Sequence, residues 1–302
     1  MFSSQENEGR LRALSEKYSF AQLQQLTVTK GGRPVTALRI GNGKHKALVT
    51  AAHHGNEWIT APLILRFLEE YAAALAAGGL IGGADATALA EGSTLWAVPL
   101  VNPDGVDLVT GAATEAEVAA AKILAENYPD IPFPDGWKAD LAGVDLNLQY
   151  PAGWLQAREI KYMQGFTRPG PRDFVGQYPL SQRESQALAA FTEEIDPDLV
   201  LAYHTQGKEI YWQFSDIVVP GAEALGREFA ELSGYRLAAT PYNSSFAGYK
   251  DWFIKRFRRP GYTIEAGVGE NPLPMEQLPE IYADNLPILV RALQETENQL
   301  PI

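Results

Sequence analysis

Short apolar runs alternate along the chain with longer segments in which apolar residues recur every three or four positions. A short continuous apolar run predicts a strand that is buried on both faces, and the longer pattern predicts an amphipathic helix. We predict strands at residues 34–40, 47–52, 95–101, 199–203 and 262–265. The alternation favours an α/β fold, with helices on both faces of a central sheet.

The clearest helical patterns cover residues 58–75, 115–127, 181–195, 222–232 and 275–295. Two further segments lack a regular period. Residues 76–93 are dominated by Ala and Gly, and we interpret them as a surface connection. Residues 128–179 are rich in Pro, Gly and aromatic residues, and they exceed the length that a compact domain uses as a mere connection. We therefore expect this second segment to carry function.

The chain has no repeat of fixed period and no long polar linker, so we predict a single domain over residues 1–302, with residues 1–20 as a polar, helical extension. Hydrophobic residues make up 46% of the chain, which is typical of a globular protein. The longest apolar runs are far shorter than the ~20 residues of a membrane-spanning helix. Residues 1–10 lack the pattern of a secretory signal, so we expect a cytoplasmic location unless a leader was removed.

Charge and cysteine content exclude several classes of function. The chain has 25 Lys and Arg against 37 Asp and Glu, and this formal charge of −12 repels phosphate backbones and anionic membranes. We therefore expect neither nucleic acid nor a membrane as a partner. The absence of Cys excludes disulfides, thiolate nucleophiles and cysteine-ligated metals. The four His residues are left as candidates for imidazole chemistry.

Two of the predicted strands lead into His residues. The second strand is followed by His53 and His54, with Glu57 three residues after His54, and the fourth strand is followed by His204. Strand ends of an open α/β sheet deliver such residues to one edge. Two imidazoles and a carboxylate suit a catalytic zinc, which keeps one position open for water. His53 is the alternative ligand, and His45, between two Lys residues, is expected to be solvated.

A hydrolytic zinc site also needs a general base that takes a proton from the attacking water. Glu265 is the best candidate, because the last predicted strand delivers it to the same edge of the sheet. Asp145, Asp104 and Glu270 are alternatives by composition, in weaker positions.

These residues belong to motifs that together resemble the zinc carboxypeptidase family. The motifs occur in the family's order at residues 54–60, 102–105, 143–147, 204, 251–252 and 263–265. The resemblance implies a mixed central sheet flanked by helices on both faces, and one zinc ion. It also implies that His54, Glu57 and His204 hold the zinc, with Glu265 as the general base.

The chain departs from the family's usual pattern at two positions. The Asp-x-Asn of the third motif is typically followed by an Arg that binds the terminal carboxylate of the substrate in a bidentate pair. Here Asn147 is followed by Leu148, which argues against ordinary carboxypeptidase action. The family's other catalytic Arg, which precedes this motif, has no counterpart either. The cations between Gly105 and Gly143 are Lys122 and Lys138, and we expect Lys138, the nearer of the two, to replace this Arg as a donor to the transition state.

Residues 146–151 and 165–172 resemble one subgroup, the γ-D-glutamyl-diamino acid peptidases of peptidoglycan. We therefore expect a zinc peptidase that hydrolyses the γ-D-glutamyl to meso-diaminopimelate bond of stem peptides (muropeptides). Members often carry wall-binding modules, and we expect none within this chain, which favours action on muropeptides in the cytoplasm. The alternatives are a zinc carboxypeptidase or acyl-amino-acid amidohydrolase with another small peptide substrate, and a non-catalytic muropeptide-binding protein.

The resemblance also implies how the substrate is recognised after the scissile bond. In the family, the residue before Asp-Trp lies at the base of the pocket for the side chain that follows this bond. That residue is Lys250 here, and its ammonium suits the extra carboxylate of meso-diaminopimelate.

Further substrate contacts are expected around this pocket. Asn147, the last residue of the third motif, and Gln149, two residues after it, are expected to contact the substrate. Arg168 and Arg172, in a loop rich in Gly and Pro, are expected to bind a second carboxylate. Tyr242 lies close to where the family keeps a mobile Tyr that closes over the substrate; Tyr249 is the alternative.

Overall fold

A computed structural model describes residues 2–294 of the chain. The α-helices in these residues are α1 (Ser4–Lys17), α2 (Thr60–Ala77), α3 (Ala86–Gly92), α4 (Pro103–Thr110), α5 (Glu115–Ala125), α6 (Trp154–Met163), α7 (Arg183–Ile195), α8 (Ala222–Ser233), α9 (Tyr249–Phe257) and α10 (Leu278–Ala292). The strands are β1 (Gln22–Val28), β2 (Pro34–Gly41), β3 (His45–Ala51), β4 (Leu80–Ile81), β5 (Ala84–Asp85), β6 (Ser93–Val98), β7 (Leu199–His204), β8 (Glu209–Tyr211), β9 (Arg236–Ala238) and β10 (Gly261–Glu265). Short 3-10 helices include Gly55–Glu57 and Leu146–Leu148.

The main sheet is mixed, in the order β1–β2–β6–β3–β7–β10–β8–β9. Its four central strands, β6, β3, β7 and β10, run parallel, whereas β1 pairs with β2 and β10 pairs with β8 in antiparallel fashion. In this register Ala51 lies opposite Tyr203, and His204 lies opposite Glu265. The carboxyl ends of β3, β7 and β10 therefore meet at one edge of the sheet.

Apolar side chains of the central strands alternate between two cores, one on each face. In β7, Leu201 and Tyr203 belong to the first core, and Val200 belongs to the second. The first core is completed by residues of α1, α2, α3, α8 and α10, and the second by residues of α7 and α9. Each large apolar side chain buried in this way contributes ~1.5–3 kcal/mol. The predicted α/β fold, a mixed sheet with helices on both faces, is confirmed.

The polar N-terminal segment is anchored to the rest of the molecule by its helix. The side chain of Ser3 caps α1 by accepting a hydrogen bond from the Glu6 amide. Phe2 and Leu11 are 1% and 0% exposed and lie in the first core. Ser4 also donates two hydrogen bonds to Asp107. The helix is therefore an integral part of the packing.

The predicted strands and helices are all present, with ends that shift by a few residues; residue 295 of the last predicted helix lies outside the described part. The interpretation of residues 76–93 as a surface connection is wrong. They form the β4–β5 hairpin and α3, where the Asp85 side chain caps the helix and Leu89 packs into the first core. Within residues 2–294, no helix is both long and apolar enough to cross a bilayer.

Candidate metal centre and active site

His54 and Glu57 are placed by a sharp turn at the end of β3. Ala52, just after the strand, has a φ of 49°, in the left-handed region that L-residues seldom adopt. Its amide donates a hydrogen bond to the Thr60 hydroxyl, which stabilises the turn. His204 is the last residue of β7, the strand that pairs with β3. The neighbouring strand ends therefore deliver all three candidate ligands to one place.

The three side chains form a compact ligand set. His54 Nδ1 lies 2.9 Å from Glu57 Oε1, and His204 Nδ1 lies 2.8 Å from Glu57 Oε2. One ligand atom from each residue lies within 4.8 Å of the other two, and all three residues are buried. Two imidazole nitrogens and one carboxylate fit the donor set of a catalytic zinc. His54, Glu57 and His204 thus form the metal site.

The alternative ligand His53 points elsewhere. Its ring stacks on that of His204 at a centroid distance of 5.5 Å, and its Nε2 lies 3.4 Å from the Tyr150 hydroxyl. Burial, followed by the nearby His204, holds the pKa of His53 well below its ordinary value, so the ring is neutral. His53 therefore packs behind the ligand set.

The electrostatics of the site also favour a cation. Burial alone would lower the pKa of His54, but the carboxylates of Glu57 and Asp145 outweigh burial and raise the pKa to about 9. Asp145 Oδ1 lies 3.1 Å from His54 Nε2, so this ring is held from both sides. A zinc ion would take the place of the proton that these carboxylates attract.

Lys138 reaches the ligand set through a close approach of three backbone segments. The Gly55 amide donates a hydrogen bond to the Lys138 carbonyl, and Asn102 Nδ2 donates to the same carbonyl. A Cβ at Gly55 would lie 2.5 Å from the carbonyl oxygen of Gly105, so only glycine fits there. Lys138 Nζ consequently lies 2.8 Å from Glu57 Oε1, and this carboxylate raises the pKa of the lysine against the effect of burial.

Glu265, the last residue of β10, lines the same pocket. The parallel register sets it beside His204. Burial raises the pKa of Glu265 to about 8, and the negative charge of Glu57 adds to this shift. A dication at the metal site would lower this pKa again, because its charge favours the carboxylate. The position of Glu265 beside the metal site suits proton transfer to and from a substrate in the pocket.

The pocket beside the ligands has a volume of about 210 Å³. Asn147 and Leu148 line it, and Asn147 Oδ1 accepts a hydrogen bond from the Tyr249 amide. Lys250 also lines it and is 4% exposed. The ammonium of Lys250 lies 2.7 Å from the Gln213 carbonyl, 3.4 Å from Thr240 Oγ1 and 2.5 Å from Asp251 Oδ1.

Segment 128–179, expected to carry function, contributes several residues to the pocket: Lys138, Asp145, Asn147, Leu148, Lys161, Arg172 and Asp173. Sequence reasoning missed Lys161 and Asp173. The spacing of Trp154, Ala157 and Ile160, which are buried on one face of α6, is the signal that could have identified this helix.

Three expected substrate-binding residues do not line the pocket. The backbone of Arg168 is tied to the hydroxyl of Tyr128. Gln149 is 0% exposed, and its side-chain oxygen accepts hydrogen bonds from Ser181. Tyr242 is 70% exposed and packs on Phe246. A role in substrate binding stays a prediction for all three.

The fold and the metal site agree with comparisons to known proteins. The family model described as "Zinc carboxypeptidase" matches residues 8–288. Gamma-D-glutamyl-L-diamino acid endopeptidase 1 of Lysinibacillus sphaericus is 40% identical over 283 residues, which cover 94% of this chain and 70% of that protein. Among solved structures, carboxypeptidase A of Helicoverpa armigera superimposes with a TM-score of 0.70 at 18% identity, covering 97% of this chain and 74% of the other. The murein-tripeptide amidase MpaA of Escherichia coli O157 gives a TM-score of 0.57 at 18% identity, covering 91% and 93%. This chain belongs to the zinc carboxypeptidase family and is a zinc metallopeptidase.

Proposed function

We propose that this enzyme hydrolyses the amide bond between γ-D-glutamate and meso-diaminopimelate in peptidoglycan stem peptides. The observation that carries the proposal is the buried ammonium of Lys250 in a pocket where Leu148 stands in place of a carboxylate-binding Arg. The 40% identical relative, named for a γ-D-glutamyl-L-diamino acid endopeptidase activity, supports it. The expected cytoplasmic location stays a prediction.

Lys250 supplies the charge that meso-diaminopimelate needs. A buried ammonium requires acceptors, and two of its neighbours, the Gln213 carbonyl and the Asp251 carboxylate, are close. The contact with Thr240 is long at 3.4 Å. A substrate carboxylate that displaces this hydroxyl would gain a charge-assisted hydrogen bond. The distal carboxylate of meso-diaminopimelate is such a group, and L-lysine lacks it.

Leu148 argues against an ordinary carboxypeptidase. A leucine side chain offers no hydrogen-bond donor, so it cannot bind a terminal α-carboxylate as an arginine does. Leu148 is 8% exposed and lines the pocket. A plain peptide has an α-carboxylate that Leu148 cannot bind and no distal carboxylate for Lys250, so we expect it to be bound weakly.

Two residues of the chain carry out the proton and charge chemistry that we propose. Zinc, when bound, is a Lewis acid that polarises the scissile carbonyl and acidifies water. Glu265 accepts a proton from the attacking water at its carboxylate and passes it to the leaving nitrogen. Lys138, whose ammonium lies beside the ligand set, donates a hydrogen bond to the oxygen that becomes negative in the transition state.

Product analysis with three peptides tests this function. The zinc-loaded protein is incubated with L-Ala-γ-D-Glu-meso-diaminopimelate, its L-Lys counterpart and a plain peptide with a free C-terminal α-carboxylate. We expect mass spectrometry to identify L-Ala-D-Glu and free meso-diaminopimelate as the main products, with slower cleavage of the L-Lys peptide. Faster release of the last residue from the plain peptide would instead indicate a carboxypeptidase. Binding without cleavage of any peptide would indicate a non-catalytic muropeptide-binding protein.

A further inference from the structure

Arg172 presents an unpaired guanidinium edge to the pocket. Its Nε donates a hydrogen bond of 2.6 Å to Asp173 Oδ2. Within residues 2–294, its two Nη atoms make no hydrogen bond. The side chain is 37% exposed and lines the pocket. The two Nη groups are therefore free to donate to an anion that enters.

Arg172 is also held in place by its neighbours. The second oxygen of Asp173 lies 2.5 Å from Lys161 Nζ, and both of these side chains are nearly buried. The Asp173 amide in turn points at Asp145 Oδ2, 3.3 Å away. The guanidinium is thus fixed relative to Asp145, which holds His54. An arginine anchored at Nε has less side-chain entropy to lose when it binds a carboxylate.

Lys250 and Arg172, two cationic groups of the pocket, have different surroundings. Lys250 contacts Gln213, Thr240 and Asp251. Arg172 is paired with Asp173 and lies in the field of Asp145 and Glu57. The other two pocket lysines, Lys138 and Lys161, are engaged by carboxylates. With the diamino acid side chain at Lys250, Arg172 is therefore available to the acyl portion of the substrate. One anionic group is to be expected there in the substrate that we propose.

That group follows from the chemistry of the γ-linkage. When D-glutamate is joined through its side-chain carboxyl, its α-carboxylate stays free and ionised, a short methylene linker away from the scissile carbonyl. This carboxylate lies on the acyl side of the scissile bond, whereas the distal carboxylate of meso-diaminopimelate lies on the leaving side. Because these two carboxylates lie on opposite sides of the scissile bond, one cationic group cannot bind both.

We infer that Arg172, held by Asp173 and Lys161, binds the free α-carboxylate of the γ-linked D-glutamyl residue. The inference rests on the proposed function and specifies the acyl half of its substrate. The two Nη groups match the two oxygens of a carboxylate in a bidentate pair. Lysine at position 172 would keep the charge but lose both the fork and the anchor at Asp173.

The test replaces the α-carboxylate by its nearly isosteric amide. L-Ala-γ-D-Glu-meso-diaminopimelate is compared with the same tripeptide that contains γ-linked D-isoglutamine. We expect the parent enzyme to favour the carboxylate peptide by about 10- to 150-fold in kcat/KM, which is the range of one charge-assisted hydrogen bond. Arg172→Gln should reduce this preference to about threefold or less. Arg183→Gln, at an exposed position outside the pocket, is the matched control and should keep the preference.

Binding provides a second readout that does not depend on turnover. In the Glu265→Gln background, calorimetry should give a tighter Kd for the carboxylate peptide than for the amide peptide. Arg172→Gln should abolish this difference, and thermal unfolding of each variant checks that it is folded. Equal binding and cleavage of both peptides by the parent protein would overturn the role of Arg172 while leaving the proposed function intact. Failure to bind or cleave either peptide would overturn the proposed function itself.

Discussion

Asp145 fixes the orientation of His54, because its Oδ1 lies 3.1 Å from Nε2, the ring nitrogen that faces away from Glu57. A carboxylate on the outer nitrogen of a ligating imidazole selects the tautomer and makes the inner nitrogen a better ligand. With Nε2 bound to Asp145, the other ring nitrogen, His54 Nδ1, points at Glu57 Oε1, 2.9 Å away. The carboxylate of Asp145 is therefore part of the metal centre, although it is not a ligand.

We expect Asp145→Asn to weaken zinc binding by about 10- to 100-fold, since loss of such an outer partner typically has this effect. The amide keeps an acceptor oxygen for the Asn147 amide, so the local turn should survive. Competition with a chelator measures the affinity. Asp130→Asn, at an exposed position, is the control. An unchanged affinity in Asp145→Asn would show that His54 is oriented by other contacts.

Glu265→Gln tests the general base. We expect turnover to fall by about 10² or more, because a general base contributes 10²–10⁴ and an amide cannot accept the proton. Zinc content and peptide binding should stay close to those of the parent protein, since Glu265 is not a ligand. Glu270→Gln, at an exposed position that sequence reasoning considered as an alternative, should leave turnover unchanged. Turnover within a fewfold of the parent in Glu265→Gln would assign the base to another group.

Lys250→Met tests whether Lys250 recognises the distal carboxylate of meso-diaminopimelate. Meso-diaminopimelate differs from L-lysine by one distal carboxylate, so a cation at the pocket base should distinguish them by about 10- to 150-fold. We expect the variant to lose most of this preference and to retain slow cleavage of the L-Lys peptide. The ratio of kcat/KM for the two peptides measures it. If the variant cleaves both peptides more slowly by the same factor, the ion pair between Lys250 and Asp251 has a purely structural role.

The metal site could be predicted because its residues follow apolar strands. The apolar run before His204 predicts β7. The carboxyl ends of parallel strands lie at the same edge of a sheet, and this placement does not depend on the path of the loops. Strands at the edge of the sheet, or next to it, lack this signal. β1 (Gln22–Val28) is mostly polar, and β8 (Glu209–Tyr211) has only three residues, so neither has the apolar run that was used to find strands.

Arg172 was predicted to bind a carboxylate, but the contacts that hold its side chain could not be predicted. Arg172 and Lys161 come together through their shared contact with Asp173, in a segment whose path depends on loops. Sequence alone does not give the course of such a segment. Likewise, Lys138 reaches Glu57 only because the backbones at Gly55 and Gly105 approach closely.

Glu184, a buried carboxyl group away from the metal site, should make the free energy of unfolding depend on pH. Glu184 is 3% exposed, and burial raises its pKa from 4.5 to about 7. The charge of Asp104 adds to this shift, whereas a backbone hydrogen bond and the charge of Arg183 oppose it. Burial and the charge of Glu184 likewise raise the pKa of Asp140 to about 8. Because the pKa is higher in the folded state, Glu184 contributes most to the free energy of unfolding below about pH 4.5, where it is protonated. This contribution is lost as the pH rises through about 7.

Glu184→Gln removes this titration while keeping the shape of the side chain. We expect the variant to be more stable than the parent by about 1–3 kcal/mol at pH 8.5, since one pKa unit corresponds to about 1.4 kcal/mol. The difference should disappear near pH 4. Urea unfolding between these pH values, without added zinc, measures it. A variant that is less stable at every pH would mean that the Glu184 carboxylate is ionised and paired in the folded protein.

Hydrolysis of the γ-D-glutamyl bond should require one zinc ion held by His54, Glu57 and His204. This requirement can be measured by titrating the metal-free protein with zinc and following release of meso-diaminopimelate from L-Ala-γ-D-Glu-meso-diaminopimelate. His204→Ala and, as control, His45→Ala are titrated in parallel; His45 contacts the Ala292 carbonyl and lies outside the pocket. We predict that release rises in proportion to bound zinc up to one ion per chain in the parent and in His45→Ala, and that His204→Ala neither retains zinc through dialysis nor releases product. Stoichiometric zinc retention by His204→Ala, or release at the parent rate without zinc, would contradict the account.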